Sequence, residues 1–217
     1  ELSGYKWAKD CIHVSHGLYL DEDGKKFATR KGKTVFMEDI LNETMSLARE
    51  EIKKRDALSS KELEERARKI ALAAIFYGDL KNYRENNIVF NIEKFLSFEG
   101  NTGPYLLYTY ARAKSILRKA RNKKTKFKIP ELSDSEKQLI LQLSKFPETI
   151  RQAYYSLSPN LIANHACQIA QLFNGFYHSE KVIGSKEQQF RLALVESFSQ
   201  VLKNALRLLG ISVLEKM

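Results

Sequence analysis

Cysteine, histidine and long apolar runs are all scarce in this 217-residue chain, and each scarcity closes off a class of protein. The two cysteines, Cys11 and Cys167, lie far apart and form neither a CxxC pair nor a Cys/His ligand spacing. That pattern points to reduced thiols in a cytoplasmic protein and against structural zinc. No segment approaches the roughly 20 apolar residues of a membrane span, so no membrane partner is expected. Glu1 to Asp10 lacks the charged-then-apolar pattern of a signal peptide. The chain also opens without Met, inside what reads as a structured segment, and is expected to be a piece of a longer protein.

The four histidines assemble no catalytic or metal centre. His13 and His16 are three apart in a predicted strand, which turns them to opposite faces. His165 falls on the apolar stripe of a predicted helix and reads as a hydrogen-bonded core residue. His178 lies near a helix end, where the dipole accounts for it. No Ser/His/Asp constellation emerges, and no metal site is expected.

What the chain does have is positive charge, a net +10, unevenly placed. Between Glu99 and Glu131 there is no acid, while nine cations run from Arg112 and Lys114 through Arg118, Lys119 and Arg121 to Lys128. A solvated basic face is one reading. The length of the acid-free block, with aromatic residues just ahead of it, favours a polyanion partner.

Periodicity divides the chain. Ile12 to Val14 and Gly17 to Leu20 read as short strands or strand edges, and Asp21 to Gly24 as a turn. A helix is predicted from Glu38 to Arg55, and Ile88 to Phe90 as a short strand. Ser59 with Glu62, and Ser133 with Glu136, form capping boxes that open two more helices. Pro104 suits the first turn of another, which runs into the basic block. Helices are further predicted after Pro147, after Ser158-Pro159, and from near Ser185 and Gln188 to a cap at Gly210. The second half is therefore a helical bundle.

The loop from Lys25 to Lys33 gathers five cations and a hydroxyl around one glycine. Such a loop can wrap a triphosphate and stabilise charge on its leaving group, although a plain basic surface loop has the same composition.

Several motifs resemble one family, in one order. Gly17 to Leu20 followed by Asp23 to Gly32 resembles the region of the lysine signature loop of arginyl-tRNA synthetases. Phe98-Glu99-Gly100-Asn101-Thr102-Gly103-Pro104-Tyr105-Leu106, continuing to Arg112, is similar to that family's most distinctive motif. Asn204-Ala205-Leu206-Arg207 looks like the Asp-Ala-Leu-Arg motif of its anticodon-binding domain, with Asn for Asp. Phe173 to Tyr177 and the ending after Leu209 resemble further segments.

The resemblance implies a mainly α chain. Residues 1–104 would be the end of a Rossmann-type catalytic domain carrying the lysine loop, and 105–217 a helical-bundle anticodon-binding domain. It implies a class I ligase, a cytoplasmic monomer, that activates arginine with ATP, Mg2+ arriving with the nucleotide, and charges tRNA-Arg. Lys26 would be the leading catalytic cation, supported by Arg30 and Lys31, with Lys25, Lys26 and Thr29 contacting the nucleotide. Ala28 and Thr29 depart from the usual loop pattern, which leaves open which cation is essential. Tyr177, Asn174 and Phe176 would meet splayed anticodon-loop bases, although Phe176 also lies on an apolar stripe. Arg118, Lys119 and Arg121 would meet phosphates. Glu99, Asn101 and Tyr105 would fix the junction by turn chemistry and packing. No HxGH-type motif is present, so the chain is expected not to activate arginine by itself. Two other readings remain: a free-standing tRNA-binding module, and a helical interaction protein with a solubilising basic surface.

Overall fold

A computed structural model of the chain describes residues 1–26, 37–54, 57–120 and 127–217. Helix dominates them, as the expected mainly α class requires. In chain order the elements are a 3-10 helix (Lys6–Asp10), β1 (Tyr19–Leu20), α1 (Met37–Lys53), α2 (Ser60–Leu80), β2 (Ile88–Val89), α3 (Ile92–Leu96), α4 (Gly103–Lys119), α5 (Asp134–Ser144), α6 (Phe146–Ser156), α7 (Asn160–Ser179) and α8 (Gln188–Leu208). No described helix is long and apolar enough to cross a membrane.

The strands pair in parallel, Tyr19 opposite Ile88 and Leu20 opposite Val89. The strand expected at Ile12 to Val14 does not form, and residues 11–18 have no regular structure. Ile12 and Val14 stay exposed, so that apolar run is too short and unpartnered to hold a ladder. His13 and His16 accordingly do not share a strand. Asp21 to Gly24 does turn, with the Gly24 amide donating to the Asp21 carbonyl.

Local chemistry sets the helix ends. Both predicted capping boxes are present, at Ser59/Glu62 and Ser133/Glu136. Each satisfies two amides that a helix start would otherwise leave unpaired. Thr102 caps α4 through the Tyr105 amide. At the end of α8, Gly210 takes a left-handed φ of 75°. The Ile211 amide then reaches the Leu206 carbonyl and the Gly210 amide that of Arg207, closing the exposed carbonyls.

Buried apolar residues form one connected core from Ala48 on α1 to Leu214. Helix α1 packs on α2, α2 on α4 and α4 on α8, while α7 sits among α5, α6 and α8. Phe173 of α7 and Phe198 of α8 are fully buried and stacked, 4.0 Å between ring centroids. Burial of each such ring stabilises by roughly 1.5–3 kcal/mol. The α2–α4 crossing is close enough that a Cβ on Gly103 would strike the Ala73 carbonyl. Beside it, the buried Tyr77 hydroxyl is 2.5 Å from Asn101 Oδ1, and Lys81 Nζ donates to the Asn101 carbonyl at 2.8 Å. His165 is buried as expected, its Nδ1 3.2 Å from Gln142 Nε2, and burial holds its pKa below the ordinary histidine value.

Candidate nucleic-acid interface

The basic block does not stay a featureless charged face. Pro104 and the Thr102 cap start α4 in a register that places Tyr108, Arg112, Ser115 and Lys119 along one side, at helical spacing. That side forms one wall of a groove of about 830 Å³. The opposite wall comes from the end of α7 and residues 180–183, and Lys216 and Met217 also line the groove.

Arg112 organises the mouth of this groove. Its Cζ lies 4.8 Å from the Tyr108 ring centroid and 5.4 Å from that of Tyr177. One amino group donates to Asn174 Oδ1 at 2.6 Å and the other to the Tyr108 hydroxyl at 3.2 Å. Asn174 in turn donates to the Tyr105 hydroxyl at 2.8 Å and to Thr109 Oγ1 at 3.3 Å. The guanidinium is therefore held by hydrogen bonds in its own plane while aromatic rings approach it, an arrangement that a lysine could not reproduce.

Tyr177 is 39% exposed. Its ring lies nearly parallel to that of the buried Phe173, 18° between planes and 6.5 Å between centroids. Phe173 and Phe198 beneath it make that support rigid. The site thus presents a braced aromatic ring and a braced cation to solvent.

Further along α4, Arg118 donates to the Glu215 carbonyl at 2.8 Å, and the Glu215 carboxylate lies 3.8 Å from both Arg118 and Lys114. The Tyr110 hydroxyl donates to the same carboxylate at 3.3 Å. Burial, with the Glu215 charge beside it, pushes the Tyr110 phenol up to about 12. Lys119 is exposed.

Of the residues expected to meet RNA, Tyr177, Arg118 and Lys119 line this one groove. Asn174 holds Arg112 through its oxygen and α4 through its amide nitrogen, which donates to Tyr105 and Thr109. Phe176 needs correction: it is fully buried in the core, and its ring has no face to offer a base. Arg121 lies outside the described residues. Sequence reasoning gave Tyr108 and Lys181 no role and read His178 only as a helix-end dipole partner, yet all three line the groove. The i, i+4 spacing of Tyr108 and Arg112 was the signal for one wall; the other, from the α7–α8 connection, has no pattern in sequence.

The second candidate region is the root of the lysine loop. The Asp21 amide donates to the Lys25 carbonyl at 2.8 Å, the Lys25 amide donates to Asp21 Oδ1 at 2.7 Å, and Lys26 bridges to Leu20 in antiparallel fashion. Lys25 and Lys26 are both exposed, and the Lys25 ammonium is only 3.9 Å from the equally exposed Asp23 carboxylate. Both cations therefore stand at the surface of the described residues. Thr29, Arg30 and Lys31 lie outside the described residues. Among the described residues no group of three or more His, Cys, Asp or Glu side chains is placed to hold a metal ion.

Comparison with known proteins gives two consecutive family matches. Residues 2–92 match the model described as tRNA synthetases class I (R), catalytic domain, and residues 106–217 that of the DALR anticodon binding domain. The chain is 42% identical to an arginine–tRNA ligase of Clostridium acetobutylicum over 222 residues, covering 100% of this chain and 39% of that protein. An arginine–tRNA ligase of Enterococcus faecalis is 41% identical, with 99% of this chain and 38% of the relative covered. The chain thus spans about 39% of the length of the curated relatives it matches. Among solved structures, a Thermus thermophilus arginyl-tRNA synthetase superposes with a TM-score of 0.85 at 32% identity, over 100% of this chain and 37% of that one. One from Plasmodium falciparum gives 0.78 at 24% identity over 94% and 35%, a likeness of fold alone.

Proposed function

We propose that this chain, which belongs to the class I arginyl-tRNA synthetases, supplies two parts of an arginine–tRNA ligase: the cationic loop at the ATP site, and the surface that binds the anticodon side of tRNA-Arg. The remaining catalytic machinery is supplied by the rest of the enzyme. Residues 1–104 carry the first part and 105–217 the second. The complete enzyme acts as a monomer in the cytoplasm.

The observation that carries the RNA assignment is the bracing of Arg112 and Tyr177 at a basic groove. Unpaired loop bases expose π faces and polar edges, and proteins bind them by stacking on aromatic rings and guanidinium planes. Tyr177, resting on Phe173, offers the ring, while Arg112, fixed by Asn174, offers a cation beside it. Tyr108 also backs that cation, with its ring centroid 4.8 Å from the guanidinium carbon. Arg118 and Lys119 extend the groove as phosphate contacts.

At the lysine loop, ATP brings the phosphoanhydride that is cleaved, and Mg2+ accompanies the nucleotide. Lys26 supplies positive charge where the pyrophosphate leaves, supported by Arg30 and Lys31, while Lys25 and Thr29 hold the phosphates before cleavage. The role is electrostatic and requires no proton transfer from the loop.

Ribonuclease footprinting of tRNA-Arg tests the RNA assignment. Protection of the anticodon loop that disappears in Tyr177→Ala is the expected result. Protection that ignores this substitution contradicts the assignment.

A further inference from the structure

Residues 180–183 form the groove wall facing α4, and Glu180 is the only acid lining the groove among the described residues. An acid in a phosphate-binding groove calls for an explanation, and Arg191 on α8 provides one. Its Nη2 lies 2.6 Å from Glu180 Oε2, its Nη1 donates to the Lys181 carbonyl at 3.0 Å, and its Nε donates to Glu136 Oε1 at 2.8 Å. Glu136 is only 1% exposed, and its other oxygen accepts from the Ser133 amide at 2.8 Å within the capping box of α5. Three edges of one guanidinium are thus engaged. One is fixed to a buried carboxylate at the start of α5, and two are fixed to consecutive residues of the groove wall.

We propose that Arg191 is a positioning residue for RNA binding: anchored by buried Glu136, it holds residues 180–183 in place and ties down the Glu180 charge. This rests on reading the groove as the tRNA surface. The geometry suits the task, because the planar fork of arginine makes several directed, charge-assisted bonds at once, where the point charge of lysine cannot. The buried end is the fixed one, so the force falls on the wall.

Glu180→Ala separates positioning from simple electrostatics. Removing the lone acid from a basic groove should tighten RNA binding if charge alone matters. If the clamp matters, the same substitution releases the wall and weakens binding by about tenfold, as loss of one charge-assisted hydrogen bond implies. Glu180 sits at the helix end with its side chain partly exposed, so the variant is expected to fold. Arg191→Lys keeps a positive charge beside Glu136 and provides the second variant. The full chain of each is titrated with tRNA-Arg, and amide exchange of residues 180–184 is followed without RNA. Arg118→Ala serves as the reference for the groove itself.

The expected result is faster exchange at 180–184 and weaker tRNA binding in both variants, with an unchanged salt slope because no phosphate-contacting cation has been removed. If Glu180→Ala binds tRNA as tightly as the parent or more so while Arg118→Ala weakens it, the clamp is overturned and the groove stands. If neither substitution changes affinity, the groove reading falls and the clamp's role with it.

Discussion

The guanidinium of Arg112 lies 5.4 Å from the ring centroid of Tyr177, joining the middle of α4 to the last turns of α7 at the mouth of the basic groove. Both residues are braced: Asn174 bonds the cation and Phe173 underlies the ring. If these are the two groups that meet RNA, as proposed, a surface braced in this way loses little further side-chain entropy on binding.

Tyr177→Ala should therefore weaken tRNA-Arg binding by about tenfold, since stacking on one base contributes about 1–3 kcal/mol. Tyr177→Phe keeps the ring and should bind nearly as tightly as the parent. A titration of both variants checks this, and equal affinities for Ala and Phe would remove the stacking role.

Arg112→Lys keeps the charge and loses the fork that bonds Asn174 and Tyr108 together. Asn174→Ala removes the brace and leaves the Arg112 cation loose. Both should lower tRNA affinity to a similar extent, and the double variant should lose much less than the sum, because the two residues act as one unit. Additive losses in the double-mutant cycle would mean that they contribute separately.

Gly103→Ala tests the junction between α2 and α4. The added methyl meets the Ala73 carbonyl, which cannot yield without shifting a helix. Overpacking of this kind costs about 1–3 kcal/mol, read as a lower urea midpoint with an unchanged slope. A midpoint equal to the parent's would show that the crossing has slack.

His165 gives the chain a pH-sensitive contribution to stability. Burial lowers its pKa in the folded state, so below the ordinary value of about 6.5 the unfolded chain binds the extra proton more readily. That contribution is fully present above pH 6.5, declines as the pH falls below it, and levels off once the folded-state pKa is passed. Denaturant titrations between pH 8 and pH 5, compared with His165→Gln, should show a shallower decline in the variant. Identical slopes would remove His165 as the cause.

Local rules carried much of this fold in the sequence. Serine three residues before glutamate gave both capping boxes, and Gly210 marked the end of α8, because these features are decided by neighbouring atoms. Ile12 to Val14 failed as a strand because a strand needs a partner, and partners are set by tertiary structure. At the site, the acid-free block pointed to Arg118 and Lys119, and although the motif alone does not separate Phe176 from Tyr177, the apolar stripe of the helix already set Phe176 apart. The two are consecutive, about 100° apart around α7, and that rotation puts Phe176 in the core and Tyr177 at the groove. The wall held by Arg191 had no local signature, since its bonds join residues ten or more positions apart.

The most direct test of the anticodon-side assignment is a titration of the chain with tRNA-Arg and with a mismatched tRNA across a salt series. Tighter binding of tRNA-Arg, with affinity falling steeply as salt rises, is the predicted result; Arg118→Ala and Lys119→Ala should each reduce the slope by about 0.7–0.9. Equal affinity for both tRNAs at every salt concentration would contradict the account and leave only a basic surface that attracts any RNA.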